Sequence, residues 1–184
     1  TLTERNPNPY DGEPSYNLGW SCKMQGKADE AYDAFFKSAW NAAWQDAAYY
    51  GLAQIDTAKG KYESALDKVD RSLIRNWHNH KARQLKASIL RKLNRKEEAL
   101  SLIEESLKID RFNMGSRFEY YLLTKDENSL MEMKELMRQW EHAYIEYALD
   151  FAGAGLYEEA ILFLQSYVAG AGKVYPMIHY ALGY

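Results

Sequence analysis

The most restrictive feature of this sequence is that it repeats itself every 34 residues. Shifting the chain by that number superposes Gly26 on Gly60 and on Asn94, Ala31 on Ala65 and on Ala99, and Phe35 on Val69 and on Ile103. Leu18-Gly19 falls on Leu52-Ala53, and the same small-then-large order returns late in the chain as Ala148, Gly155, Ala160 and Leu164. A chain of this kind buries its apolar surface by stacking copies of one small unit, because no single copy covers its own faces.

Within each copy the apolar and small residues recur at helical spacing over about 14 residues, break at a Gly or Asn, and resume, as in "GKADEAYDAFFKSA" and "GKYESALDKVDRSL". Each unit is therefore read as two antiparallel helices. The residue between them turns the chain sharply, a task that favours a residue tolerant of positive φ, and Gly26, Gly60, Asn94 and Gly155 meet it. Gly19, Ala53 and Ala87 let the first helix approach the second at a notch whose other side is Ala31, Ala65 and Ala99. Phe35, Val69, Ile103 and Leu164 fill the space beside that notch, each contributing roughly 1.5–3 kcal/mol when buried.

The period places units at 12–45, 46–79, 80–113, 114–140 and 141–174, with residues 1–11 as an extended N-terminal linker. The fourth unit has only 27 residues and lacks the notch, although Asp126 is placed to cap its second helix. After "GAGKV", residues 175–184 read as the first helix of a truncated further unit, with Pro176 in its first turn and "ALGY" echoing "NLGW". An array that stops in half a unit leaves an apolar end uncapped, so a homodimer through the C-terminal end is an expectation. Trp40, Trp44 and Trp77 fall at the ends of second helices and at the corners, where they are expected to fill the wedge between units.

A 34-residue helix pair with "LG", a turn Gly, "A" and "F/V/I" in this order resembles the tetratricopeptide repeat over roughly residues 12 to 174. The third unit departs from that pattern with Lys86 in place of an apolar residue and Asn94 in place of Gly. At the corners Ala43, Trp77 and Arg111 stand where the family has proline. The resemblance implies an all-α fold, a right-handed superhelical stack of antiparallel helix pairs. The phrases "NPYDGEPSYNLGW" and "HNHKARQLKA" are also similar to the repeat regions of large bacterial proteins that carry a β-rich, sugar-enzyme-like domain ahead of the array. That likeness implies an alternative, a helical accessory region of a carbohydrate-active enzyme.

In such a stack the first helices line the concave face, and the resemblance assigns positions two, five, nine, twelve and thirteen of each unit to it. Those positions give Glu13, Tyr16, Trp20, Lys23 and Met24, then Ala47, Tyr50, Gln54, Thr57 and Ala58, then Lys81, Gln84, Ser88, Arg91 and Lys92. Aromatic rings offer contact area at low entropy cost and Lys or Arg anchors carboxylates, so Tyr16, Trp20, Lys23, Tyr50, Gln54, Lys81, Gln84, Ser88 and Arg91 are the candidate partner-binding groove. The family's carboxylate clamp needs Asn where Trp20 and Gln54 stand, and is not expected here.

Other chemistry is poorly served. A net charge of −3 speaks against a nucleic-acid surface, and no stretch approaches the roughly 18 apolar residues of a membrane span. A single cysteine, Cys22, forms no intramolecular disulfide and is read as a buried small side chain. "HNH" at His78 to His80 spells a nuclease label but sits at a corner, where Asn79 is placed to cap the next helix. Glu97-Glu98, Glu104-Glu105 and Glu158-Glu159 are read as solvent-facing charges near helix starts. Gly153, Gly155, Gly170 and Gly172 are read as helix terminators rather than a phosphate loop, since no strand precedes them. The expectation is a non-catalytic module without metal or cofactor that binds a peptide, a protein or another domain of its own chain.

Overall fold

The computed structural model of the chain describes residues 11–169 and 174–183. Most of the N-terminal linker and both Gly170 and Gly172 lie outside the described residues. Among those described, the chain forms eleven α-helices and a 3-10 turn at Ala42–Trp44. The helices come in pairs: α1 (Glu13–Met24) and α2 (Ala28–Ser38), α3 (Gln45–Ala58) and α4 (Tyr62–Arg75), α5 (His80–Lys92) and α6 (Lys96–Ile109). There follow α7 (Met114–Thr124) and α8 (Glu127–Met137), α9 (Glu141–Gly153) and α10 (Tyr157–Val168), and finally α11 (Pro176–Gly183). They group into two compact units, Thr1–Ala82 and Arg83–Tyr184.

The turn residues do what their chemistry requires. Gly26, Gly60 and Gly155 have φ of 74°, 70° and 73°, and Asn94 follows at 58°. Each closes the preceding helix with the same two bonds, in which the turn residue and its successor donate N–H groups back to the last turn. Gly26 reaches Lys23 at 3.0 Å and Lys27 reaches Cys22 at 2.9 Å; Asn94 reaches Arg91 at 3.0 Å and Arg95 reaches Leu90 at 2.9 Å. The α7–α8 pair is joined by only two residues, with Lys125 in the left-handed region at φ 57° and Asp126 accepting from the Asn128 N–H at 3.0 Å, a cap on α8.

In the first unit the core is organised around Phe35, whose ring is wedged between two glycines. A methyl group on Gly19 of α1 would lie 2.7 Å from the ring, and one on Gly51 of α3 would lie 2.9 Å from its other edge. Ala31, Leu52 and Ile55 complete this core. Cys22 packs against it but is only half-buried. Ser38 and Ser72, one period apart, each donate a side-chain bond to the start of their pair's first helix, at Gly12 O (3.0 Å) and Asp46 O (2.8 Å). In the second unit, a ring cluster holds α7, α9 and α10 together, with Phe118 and Phe163 edge to face at 4.8 Å and Tyr144 against Tyr167 at 4.9 Å. Burial, with Tyr167 beside it, pushes the Tyr144 hydroxyl up to about 12.

Three expectations need correction. Trp44 is half-buried with its ring 5.0 Å from Tyr16, but Trp40 and Trp77 are not wedge residues, being 71% and 46% exposed. The serine bonds tie the ends of α2 and α4 to the starts of α1 and α3, and at the first corner it is Trp44 that lies against Gly12. Glu159 is not a solvent-facing charge: it is 4% exposed and held by cations from α5. Glu105 stays at the surface yet serves a buried partner, Arg83, at 3.1 Å. At the "HNH" corner, Asn79 accepts from the Ala82 N–H at 3.1 Å, the capping role expected of it.

Candidate functional site

The candidate groove residues fall into two groups, one in each compact unit. In the first, Tyr16, Trp20 and Lys23 lie one helical turn apart along α1, and Tyr50 and Gln54 do the same on α3, so two parallel stripes face the same way. Trp20 stands edge-on to Phe35 at 5.6 Å and to Tyr16 at 6.3 Å, which fixes its indole by packing. The Lys23 ammonium sits 4.7 Å from the centre of the Trp20 ring and donates to Gln54 Oε1. Gln54 in turn donates to the Tyr50 hydroxyl at 3.0 Å. A chain of polar contacts thus runs Lys23 to Gln54 to Tyr50 across the two helices, with Gln54 buried and the other members half-buried. Lys81, at the start of α5, is exposed.

The second group is built differently. A methyl on Gly115 would lie 1.8 Å from Gln84 Oε1, so the α7 backbone rests directly on Gln84. Ser88 is buried and donates to Glu119 Oε1 at 2.7 Å. Arg91 donates through Nε to Glu119 at 2.7 Å and through Nη2 to Glu159 at 2.8 Å, and Lys92 lies 2.7 Å from the same Glu159 oxygen. Gln84 and Ser88 therefore present almost no surface, and Arg91 spends its guanidinium on two carboxylates from α7 and α10. Burial alone would lower the pKa of Arg91, but Glu119 and Glu159 outweigh it and hold the guanidinium more firmly protonated than usual. Burial would likewise raise that of Glu159, but the bonds from Lys92 and Arg91 hold it below the ordinary glutamate value.

Sequence reasoning missed Glu119, Glu159 and Arg83, the last fully buried with Nε on Ser106 Oγ at 2.8 Å. Arg91 and Lys92 side by side at groove positions were the available signal. Among the described residues no group of three or more His, Cys, Asp or Glu is arranged to hold a metal ion. No helix among them is long and apolar enough to cross a membrane. At the end of the second unit, α9, α10 and α11 enclose an apolar cleft of about 380 Å³ lined by Leu149, Tyr157, Ile161, Met177 and Tyr180.

No family model matches the sequence. Solved structures do match over nearly the whole chain. A tetratricopeptide repeat protein from Parabacteroides merdae superposes with a TM-score of 0.67 at 17% identity, covering 98% of this chain and 87% of that one. The fold is that of a tetratricopeptide-repeat solenoid. YrrB, described as a TPR protein with an unusual peptide-binding site, matches with a TM-score of 0.63 at 17% identity over 100% of this chain and 96% of its own. A thermophilic TPR protein of Thermus thermophilus gives 0.61 at 18% identity over 94% and 100%. At these identities the likeness carries the fold, and the residues of the groove have to be argued from this chain alone.

Proposed function

We propose that the protein is a non-catalytic binding scaffold that holds a peptide or a partner segment against the α1–α3 face. The observation that carries this reading is the Trp20–Lys23–Gln54–Tyr50 array: a ring fixed by packing, a cation laid on it, and polar groups oriented by one another. Preorganised aromatic and cationic groups lose little freedom on binding, which is what makes a small surface an effective anchor. The description of YrrB as a peptide-binding TPR protein is consistent with such use of the fold. The alternative expectation, an accessory region of a carbohydrate-active enzyme, draws no support from these relatives. For the homodimer expected through the C-terminal end, the supporting observation is the apolar cleft between α9, α10 and α11; sedimentation velocity that finds only monomer at high concentration would remove it.

The test is to select peptides from a random display library on the intact protein and compare their affinities for Lys23→Ala and Tyr50→Ala. Both substitutions leave the rings packed on Phe35 in place, so folding is preserved. The expected loss is about 30-fold or more for the pair, the scale of a hot-spot residue. Unchanged affinity of every selected peptide would remove the reading.

A further inference from the structure

The second compact unit carries another surface, on the side of its corners rather than on its first helices. The corner before α7 and the end of α8 enclose a cleft of about 610 Å³, walled by Arg111, Phe112, Leu136, Met137, Arg138 and Trp140. Its shape is held from behind: Arg117 of α7 donates to the Arg111 carbonyl at 2.8 Å and pairs with Glu132 of α8 at 3.0 Å, and the Tyr147 hydroxyl reaches the Phe112 carbonyl at 3.4 Å. The cleft is therefore present before anything enters it. Its two rings stand largely in solvent, Phe112 at 52% and Trp140 at 59% exposed. Apolar rings left in water beside a rigid depression mark a surface that gains by being covered.

The charges tell what would cover it. The Arg111 guanidinium lies 4.8 Å from the centre of the Phe112 ring, and among the described residues neither it nor Arg138 has a carboxylate partner. Of the two acidic residues on the wall, Glu132 is already taken by Arg117, which leaves Glu135 against two uncommitted guanidinium groups. The backbone adds an independent indication. Arg138 and Gln139 have φ of 49° and 53°, two successive side-chain-bearing residues in the left-handed region. Such residues are strained there; glycine fills that role at Gly26, Gly60 and Gly155, and the other side-chain-bearing residues, Asn94 and Lys125, occur singly. At residue 138, which lines the cleft, the chain keeps an arginine instead.

We infer that this cleft is a second docking site, for an acidic peptide segment that lays one apolar side chain between Phe112 and Trp140 and sets carboxylates on Arg111 and Arg138. Arginine forks bind carboxylates in two-point contacts, and a ring behind the guanidinium leaves its edge free to make them.

Trp140 is the only tryptophan after residue 82, so its indole N–H signal reports on this site alone. The probes are two capped hexapeptides, one placing a central Leu-Phe between pairs of glutamates and the other placing it between pairs of lysines, titrated into the intact ¹⁵N-labelled protein. The acidic peptide should move the Trp140 signal saturably and the basic peptide should not. Arg138→Gly should weaken the acidic peptide about tenfold while leaving thermal stability equal or higher, because glycine relieves the left-handed strain as the guanidinium is lost. Arg111→Gln, at an exposed residue, should weaken it similarly. Equal shifts with both peptides would reduce the cleft to a non-selective apolar surface and overturn the proposal. So would a silent Trp140, whether or not the Trp20 signal moves; movement at Trp20 alone would support the α1–α3 face and no second site.

Discussion

Alanine at residue 19 should destabilise the protein, although alanine in place of glycine inside a helix ordinarily contributes about 1 kcal/mol of stability. The added methyl would lie 2.7 Å from two carbons of the Phe35 ring and 2.9 Å from a third. Carbon atoms sit comfortably about 3.5–4.0 Å apart, so the ring would have to retreat by nearly 1 Å. It has nowhere to go, since Gly51 presses on its opposite edge. Overpacking at a pinned site costs up to about 3 kcal/mol, which leaves a net loss of about 2 kcal/mol. The second helix pair shows the remedy, for it carries Ala53 and Val69 at the equivalent positions, both fully buried. In a Phe35→Val background the same Gly19→Ala change should therefore stabilise by about 1 kcal/mol, a coupling of about 3 kcal/mol between the two sites. Urea denaturation followed by tryptophan fluorescence is the assay, because four of the five tryptophans (Trp20, Trp40, Trp44 and Trp77) lie in the unit concerned. A stabilising Gly19→Ala in the wild-type background, or a coupling under about 0.5 kcal/mol, would refute the reasoning.

Three other outcomes follow from the same structure. Arg91→Met should cost about 3 kcal/mol in urea denaturation followed by circular dichroism, because it strands the fully buried Glu119, and adding Glu119→Leu should restore most of the loss. Glu159, held below its ordinary pKa of 4.5, contributes stability that is present above that value and lost as the pH falls through its lower folded value. Thermal melts between about pH 5 and pH 3 should thus fall steeply for the wild type and less steeply for Glu159→Gln, although the latter starts lower. Asn94→Gly should raise stability by about 0.5 kcal/mol, because φ of 58° costs glycine nothing, whereas Asn94→Ala should lower it by about 1 kcal/mol; thermal melts distinguish the two.

What repeats in the sequence proved readable, and what does not repeat did not. Gly26, Gly60, Asn94 and Gly155 could be assigned to left-handed turns because one backbone constraint recurs at one spacing. Ala31, Ala65 and Ala99 could be assigned to the core for the same reason, and each is fully buried. Ser38 and Ser72 carried an equally regular signal, which went unread because a hydrogen bond to a backbone carbonyl leaves no mark in the hydrophobic pattern. Glu119, Glu159 and Arg83 occur once each, and a buried charge is recognisable only through its partner, which lies 22 to 68 residues away. Position arithmetic told which way Gln84 and Ser88 point but not that α7 would cover them. The corner tryptophans misled for a related reason: a large apolar residue at a helix end fits a wedge or an edge equally well until the space between helices is known.

The proposed binding surface for a partner is the one formed by Trp20, Lys23 and Tyr50 on α1 and α3. The most direct measurement is the ¹⁵N-indole spectrum of the intact protein, in which Trp20, Trp40, Trp44, Trp77 and Trp140 are five separate reporters, recorded during titration with a peptide obtained by display selection. Binding at α1 and α3 should move and saturate the Trp20 signal while those of the exposed Trp40 and Trp77 stay in place. A peptide that binds with the Trp20 signal unmoved would contradict it.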